Sequence, residues 1–387
     1  MDEARHERTD RNASHPRYPP ALWWVTRQCS TLPRAGRRHG NAGPAVCTTH
    51  GVPFSGKAGA MTRRTKLTIG VTLGLVALLA AAGLYAWSGR TTSAAAVTVV
   101  AAGDIACDPT YPNFDGGAGT ATGCHEKATS DLVATIKPKA VLALGDIQYV
   151  HGTTANYAAS YNPTWGRFKD ITFPVLGNHE GGEGGTNKSY FDYFGSNAGD
   201  RNTGYYSYEL GAWHVVALNS NCGAYSFDGS HNDCTAGSAQ DVWLKNDLAA
   251  HPTKCTLAYF HVPRFSSGSD HRSDATSDNT LTTLWDDLYA AHADVILNGH
   301  AHEYERFAPL RPDGQIDQAA GIREFVVGTG GDDHHASGTA VHGSEMRNSD
   351  SFGVLRLTLR ATAYDWQFVN DGSAGATNSD KGTTQCH

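Results

Sequence analysis

The sequence predicts an α/β fold in which two packed mixed β-sheets are flanked by helices. Three observations carry that expectation: short continuous apolar runs of the kind buried strands show, amphipathic helical stretches between several of them, and two aromatic runs that alternate like antiparallel pairs. The apolar runs occupy residues 97–102, 140–144, 171–176, 256–260 and 295–297. The clearest helical stretches cover 127–136, 239–250 and 281–291, where Leu132 and Ile136, Leu244 and Leu248, and Leu284 and Leu288 each lie one turn apart on one face. Residues 205–219 and 352–368 supply the alternating aromatic runs. No repeat and no low-complexity linker interrupts 97–387, so this part reads as one large domain.

The preceding residues read differently. Residues 1–60 mix Arg, His, Pro and Gly with no sustained period, offer no face to bury, and are expected to be disordered or an over-extended start. At Met61 the pattern changes: Arg63, Arg64 and Lys66 precede an uncharged run at 67–87, then the small residues Ser93, Ala94, Ala95 and Ala96. That order makes 61–96 a signal peptide, or a signal anchor if 67–87 stays uncleaved and spans a membrane. Export is expected either way, so the protein reads as secreted or extracytoplasmic.

Charge and cysteines narrow the class. With 40% hydrophobic and 10% aromatic residues, disordered, collagen-like and multi-span membrane proteins are excluded. Residues 1–96 hold 13 Lys+Arg against 4 Asp+Glu, which leaves 18 against 34 in the body. A body that acidic repels polyanions, which argues against general nucleic-acid binding and leaves room for metal cations. The body carries Cys107, Cys124, Cys222, Cys234, Cys255 and Cys386. In an oxidising compartment proximity favours 107 with 124 and 222 with 234, leaving 255 for 386. No Cys-x-x-Cys pair exists for a zinc site.

The strand ends are the informative feature. The first two runs enter Gly103-Asp104 and Gly145-Asp146, the third enters Gly177-Asn178-His179-Glu180, the fourth delivers His261, and the fifth delivers Asn298-Gly299-His300-Ala301-His302. Strand carboxyl ends share one crevice in open α/β sheets, so five strands bring Asp, Asn and His to one place. A lone Gly-Asp is usually a turn and a lone His usually structural, but five in register are a donor set. Hard oxygens mixed with borderline nitrogens suit Fe, Mn or Zn.

These residues resemble a known family. Gly-Asp, Gly-Asp-x-x-Tyr (Asp146 to Tyr149), Gly-Asn-His-Glu, a lone His and Gly-His-x-His, in that order over 97–307, resemble the calcineurin-like metallophosphoesterases, and the purple acid phosphatases in particular. The resemblance implies an α/β/β/α metallophosphoesterase sandwich. It also implies two transition-metal ions: Asp104, Tyr149 and His302 on the first, Asp146 bridging, and Asn178, His261 and His300 on the second. Fe(III) is expected at the Tyr149 site, with Fe, Zn or Mn at the other. The wider superfamily has Asp-x-His in its first motif, whereas this chain has Asp104-Ile105-Ala106, and Tyr149 is the expected replacement ligand.

Two cations about 3.5–4 Å apart can hold and activate a hydroxide and neutralise a phosphoryl group under in-line attack. The chain is therefore expected to be a phosphoric ester hydrolase that cleaves small-molecule phosphate monoesters by metal-bound hydroxide. His179, and His271 in the place where the family sets a substrate-facing His, are the candidates to contact phosphate and protonate the leaving group. A phosphodiesterase or nucleotidase on the same site is one alternative, and a non-catalytic extracellular binding protein of this fold the other. Residues 330–335 (Gly-Gly-Asp-Asp-His-His) read as a polar surface loop, with a rim or extra-ion role as the alternative. Residues 190–194 read as core packing, and His125 and His151 receive no functional role.

Overall fold

The computed structural model describes residues 95–181, 187–222, 233–274, 276, 280–373 and 379–387. The expectations for 1–60 and for the apolar run at 67–87 lie outside these residues. Among the described residues no helix is long and apolar enough to cross a membrane.

Two mixed sheets form the centre. The first holds six strands in the order β13-β12-β11-β1-β2-β3: β1 (Val97–Ala102), β2 (Ala140–Ala143), β3 (Thr172–Pro174), β11 (Gly353–Leu359), β12 (Ala363–Asn370) and β13 (Lys381–Gln385). The second holds seven, in the order β10-β8-β9-β7-β6-β5-β4: β4 (Tyr206–Leu210), β5 (Trp213–Ala217), β6 (Cys255–Tyr259), β7 (Val295–Asn298), β8 (Tyr304–Phe307), β9 (Arg323–Val327) and β10 (Ser344–Asn348). Strands β1, β2 and β3 run parallel, as do β5, β6, β7 and β9. Antiparallel strands flank both parallel cores, and the two aromatic runs form the antiparallel pairs β4–β5 and β11–β12.

Side-chain alternation sorts the second sheet's residues between two cores. Val215, Leu257, Tyr259, Val295 and Leu297 join the cluster that also contains Val99, Ala101 and Leu142 of the first sheet. Their neighbours Val216, Ala258 and Ile296 turn to the other face, where Leu244 and Leu284, Trp285 and Leu288 cover them. Those covering residues come from α3 (Ala239–Ala250) and α4 (Thr282–Ala290), which follow the helices α1 (Glu126–Ile136) and α2 (Lys188–Phe194) in the chain. Both faces of the parallel strands are thus buried, which is why they read as unbroken apolar runs.

Local chemistry sets the helix ends. Ser238 caps α3 by accepting from the Asp241 N–H at 3.2 Å. Lys137 ends α1 in the left-handed region ahead of Pro138. Its buried stripe is Glu126, Thr129, Ser130 and Val133 rather than the expected Leu132 and Ile136, which are only partly buried. The third strand is shorter than its apolar run because a 3₁₀ turn at Trp165–Ile171 uses its first residue. Tyr190 and Phe194, in α2, are buried in the inter-sheet core.

The disulfides are Cys107–Cys124, Cys222–Cys234 and Cys255–Cys386. The last joins the start of β6 to the segment after β13, linking the two sheets across 131 residues.

Candidate metal centre

The carboxyl ends of β1, β2 and β3 in one sheet meet those of β6 and β7 in the other, and the polar residues of the strand-end motifs gather there. Asp104, Asp146 and His300 follow their strands with φ of 58°, 45° and 70°. Left-handed backbone at non-glycine residues costs about 1–3 kcal/mol each and persists where the surroundings enforce it. Close packing dictates the accompanying glycines: a Cβ at Gly145 would stand 2.6 Å from His261 Nδ1, and one at Gly177 would collide with the Asp146 amide.

Two groups of donors form and share a residue. In the first, the Tyr149 hydroxyl lies 2.9 Å from Asp104 Oδ1 and 2.9 Å from His302 Nε2, and His302 Nε2 lies 3.3 Å from Asp104 Oδ1. In the second, His261 Nε2 lies 3.0 Å from Asn178 Oδ1, 3.1 Å from Asp146 Oδ2 and 3.2 Å from His300 Nδ1. Asp146 Oδ2 is also 3.3 Å from the Tyr149 hydroxyl, so one oxygen faces both groups. The seven residues singled out from the sequence stand together, each nine-tenths or more buried.

Hydrogen bonding shows what such a cluster needs. His261 Nδ1 lies 2.9 Å from the Leu144 carbonyl, an acceptor, so that nitrogen carries the proton. Its Nε2 is then a lone pair in the neutral ring, yet it faces Asp146 and Asn178 oxygens that are acceptors too. A positive charge at that place, a proton or a metal cation, reconciles them. Burial alone would lower the His261 pKa, but the Asp146 carboxylate overrides it and lifts it to about 9, so the imidazolium charge stands where a metal cation fits. Burial likewise opposes ionisation of Asp146, and the His261 charge holds it below the usual carboxylate range. Tyr149 is pushed well above its ordinary value by burial and by Asp104 and Asp146, a sign that a bound cation reverses. The donors fit two transition-metal ions: Asp104, Asp146, Tyr149 and His302 for one, Asp146, Asn178, His261 and His300 for the other.

His179 and His271 border the centre. The His179 amide donates to Asp146 Oδ1 at 2.7 Å, its Nδ1 lies 2.7 Å from the Val150 carbonyl, and its Nε2 is 4.0 Å from Asp146 Oδ2. The His271 ring packs 4.0 Å from that of His300, beside a cleft of 230 Å³ that Arg264, Arg272 and Leu281 help to line. Burial and the neighbouring histidines lower the His271 pKa to about 4.

Two contacts go beyond the sequence expectations. Glu180 is fully buried and accepts the amides of Ile147 at 2.7 Å, Asp146 at 2.9 Å and Gly177 at 2.6 Å, tying the second and third ligand loops together. Its place in Gly-Asn-His-Glu was the available signal. The loop at 330–335 is no plain surface loop: Asp332 is buried, the Asp333 carboxylate meets His302 Nδ1, and the His335 ring stacks on His302 at 4.0 Å. Strand β9 runs parallel beside β7, so its carboxyl end opens at the same crevice. Tyr304 and Arg306, two and four residues beyond His302, bind Asp380 at 2.8 and 2.6 Å and brace β8. His125 bonds Asp371 at 2.7 Å.

The chain is similar to plant purple acid phosphatases. The chain is 27% identical over 197 residues to a probable purple acid phosphatase 20 of Arabidopsis thaliana, covering 46% of this chain and 43% of that one. It is 30% identical over 215 residues to purple acid phosphatase 15 of the same plant, covering 46% and 38%. The chain thus spans less than half the length of these relatives. The purple acid phosphatase from yellow lupin seeds shares the fold, with a TM-score of 0.56 at 18% identity over 74% of this chain and 54% of that one. The profile of the calcineurin-like phosphoesterases matches residues 97–304, more than half of the chain and all seven clustered donors, and the protein belongs to that family.

Proposed function

We propose that the protein is an exported binuclear-metal phosphoesterase that hydrolyses phosphate monoesters in the manner of purple acid phosphatases. The observation that carries this reading is the Asp146 oxygen that faces His261 at 3.1 Å and Tyr149 at 3.3 Å, a placement that would let one carboxylate serve two ions. When bound, the ions supply a lowered pKa for water and positive charge for the phosphoryl oxygens. Ferric iron suits the Tyr149 site, and Fe, Zn or Mn the other.

The protein's own residues then do the rest. Asp104, Asp146, Tyr149 and His302 would hold one cation, and Asn178, His261 and His300 would complete the other with Asp146. Glu180 keeps the Asp146 loop from relaxing. His179, turned toward Asp146, and His271, packed on His300, would contact the phosphoryl group, and His179 would pass a proton to the leaving oxygen, since burial and neighbouring histidines lower the His271 pKa to about 4. Three disulfides that engage every cysteine of 97–387 support an oxidising compartment and hence export.

The test is metal analysis of purified 97–387 followed by turnover of p-nitrophenyl phosphate and its bis ester. Two transition-metal ions per chain and preference for the monoester are expected. One ion or none overturns the binuclear reading, and preference for the bis ester makes the protein a phosphodiesterase.

A further inference from the structure

The loop at 330–335 is knitted to the first ligand loop. Gly330 N–H donates to the Gly103 carbonyl at 2.9 Å, and Asp332 N–H to the Asp104 carbonyl at 3.1 Å. From the other side, Cys124 N–H donates to the Asp332 carbonyl at 2.7 Å and His125 N–H to Gly331 at 2.8 Å. Cys124 is itself bonded to Cys107, three residues beyond Asp104. The disulfide therefore joins the segment that carries Asp104 to the residue that anchors the loop.

The loop grips His302 in three ways. His335 N–H donates to the His302 carbonyl at 3.1 Å, the His335 ring lies parallel to the His302 ring within 2°, and the Asp333 carboxylate meets Nδ1. That nitrogen is on the far side of the ring from Nε2, which faces Tyr149 and Asp104. An imidazole that gives its Nδ1 proton to a carboxylate keeps Nε2 as a lone pair, held in one orientation and made more basic. Asp333 is half-exposed, so no burial constraint explains its position, and the pinned loop does.

We propose that Asp333 is a positioning residue for the metal centre, holding His302 so that Nε2 is presented to the ion shared with Asp104 and Tyr149. This rests on the binuclear reading of the site. Asp333 does not ligate an ion itself. It acts through His302, and the Cys107–Cys124 staple keeps its carboxylate within reach.

The experiment uses the metal-loaded protein and chelator-buffered zinc titrations of wild type, Asp333→Asn and Asp333→Glu, with iron loading to follow the Tyr149 band. Asp333→Asn is expected to weaken one of the two ions about 10- to 100-fold, to leave the other within about 3-fold, and to diminish the iron band. Asp333→Glu, which keeps the carboxylate, is expected to recover most of that affinity. Unchanged affinities in Asp333→Asn overturn the proposal. Equal weakening of both ions also overturns it, because that is the mark of a general structural defect. Should Asp333→Asn not fold, Asp333→Ala takes its place at this half-exposed position: selective weakening of one ion is expected there too, and unchanged affinities with an undiminished iron band overturn the proposal. Fewer than two ions on wild type overturns the underlying binuclear reading instead, so the two failures are distinguishable.

Discussion

Asp146 Oδ2 stands 3.1 Å from Nε2 of His261, at the contact between two sheets that reach this point along separate stretches of chain. The carboxylate comes from the end of β2 in the first sheet, and the imidazole from the end of β6 in the second. Replacing the charge therefore acts on both halves of the site. In Asp146→Asn both ions are expected to weaken, and turnover to fall by more than about 100-fold, beyond what loss of an outer hydrogen-bond partner causes. Metal content by plasma mass spectrometry checks it, and retention of two ions with full activity contradicts the bridging role. Asn178→Ala is expected to disturb one ion only.

Tyr149 has a spectroscopic consequence. After loading with iron and mild oxidation, wild type is expected to absorb broadly in the visible, and Tyr149→Phe under identical loading to lose that band together with most of its turnover. Because Phe removes one donor from one group only, the ion held by Asn178, His261 and His300 should remain. Identical spectra and rates in the two proteins reject a tyrosinate ligand.

The six cysteines of 97–387 are expected to be fully paired, with no thiol reacting in the native secreted protein before reduction. Removing Cys255–Cys386, which closes a loop of 131 residues between the two sheets, should cost about 4–5 kcal/mol of stability by the loop-entropy argument. A denaturant midpoint for the Cys255→Ser, Cys386→Ser protein that matches wild type rules that contribution out.

Buried acids outside the centre set a pH dependence of stability. Burial pushes Glu324 up to about 8 and Glu126 up to about 7. A carboxyl whose folded pKa lies above its unfolded value stabilises the fold fully below the unfolded value, near 4.5, and that contribution is lost as pH rises through 7 to 8. The urea midpoint is thus expected to be higher at pH 5.5 than at pH 9, and Glu324→Gln to flatten the decline. A midpoint that rises across this interval would show that these carboxyls are ionised in the folded protein.

His179 and His271 separate metal binding from turnover. Neither stands in the two donor groups, so alanine at either position should keep both ions while lowering kcat, by about 10²-fold where a proton transfer is lost. Loss of metal in either variant would make that residue a ligand or a structural support.

Much of this architecture is legible in the residues alone. Buried parallel strands must be apolar on both faces, so β1, β2, β6 and β7 stand within a residue or two of their expected bounds, and α3 runs over its expected span. The donor residues that follow those strands gather at one place as their order suggested, and the disulfides pair as proximity suggested. Tertiary structure decided what depends on strand order. No local pattern places Asp333 beside His302, because that contact exists only where β9 lies parallel to β7 and the loop after it is pinned through Cys124. Nor does periodicity show that Glu180 gathers three amides from two loops, or that one Asp146 oxygen faces both His261 and Tyr149. Local sequence encodes backbone preference and burial, whereas hydrogen-bond direction across separate strands is set only once the two sheets have packed.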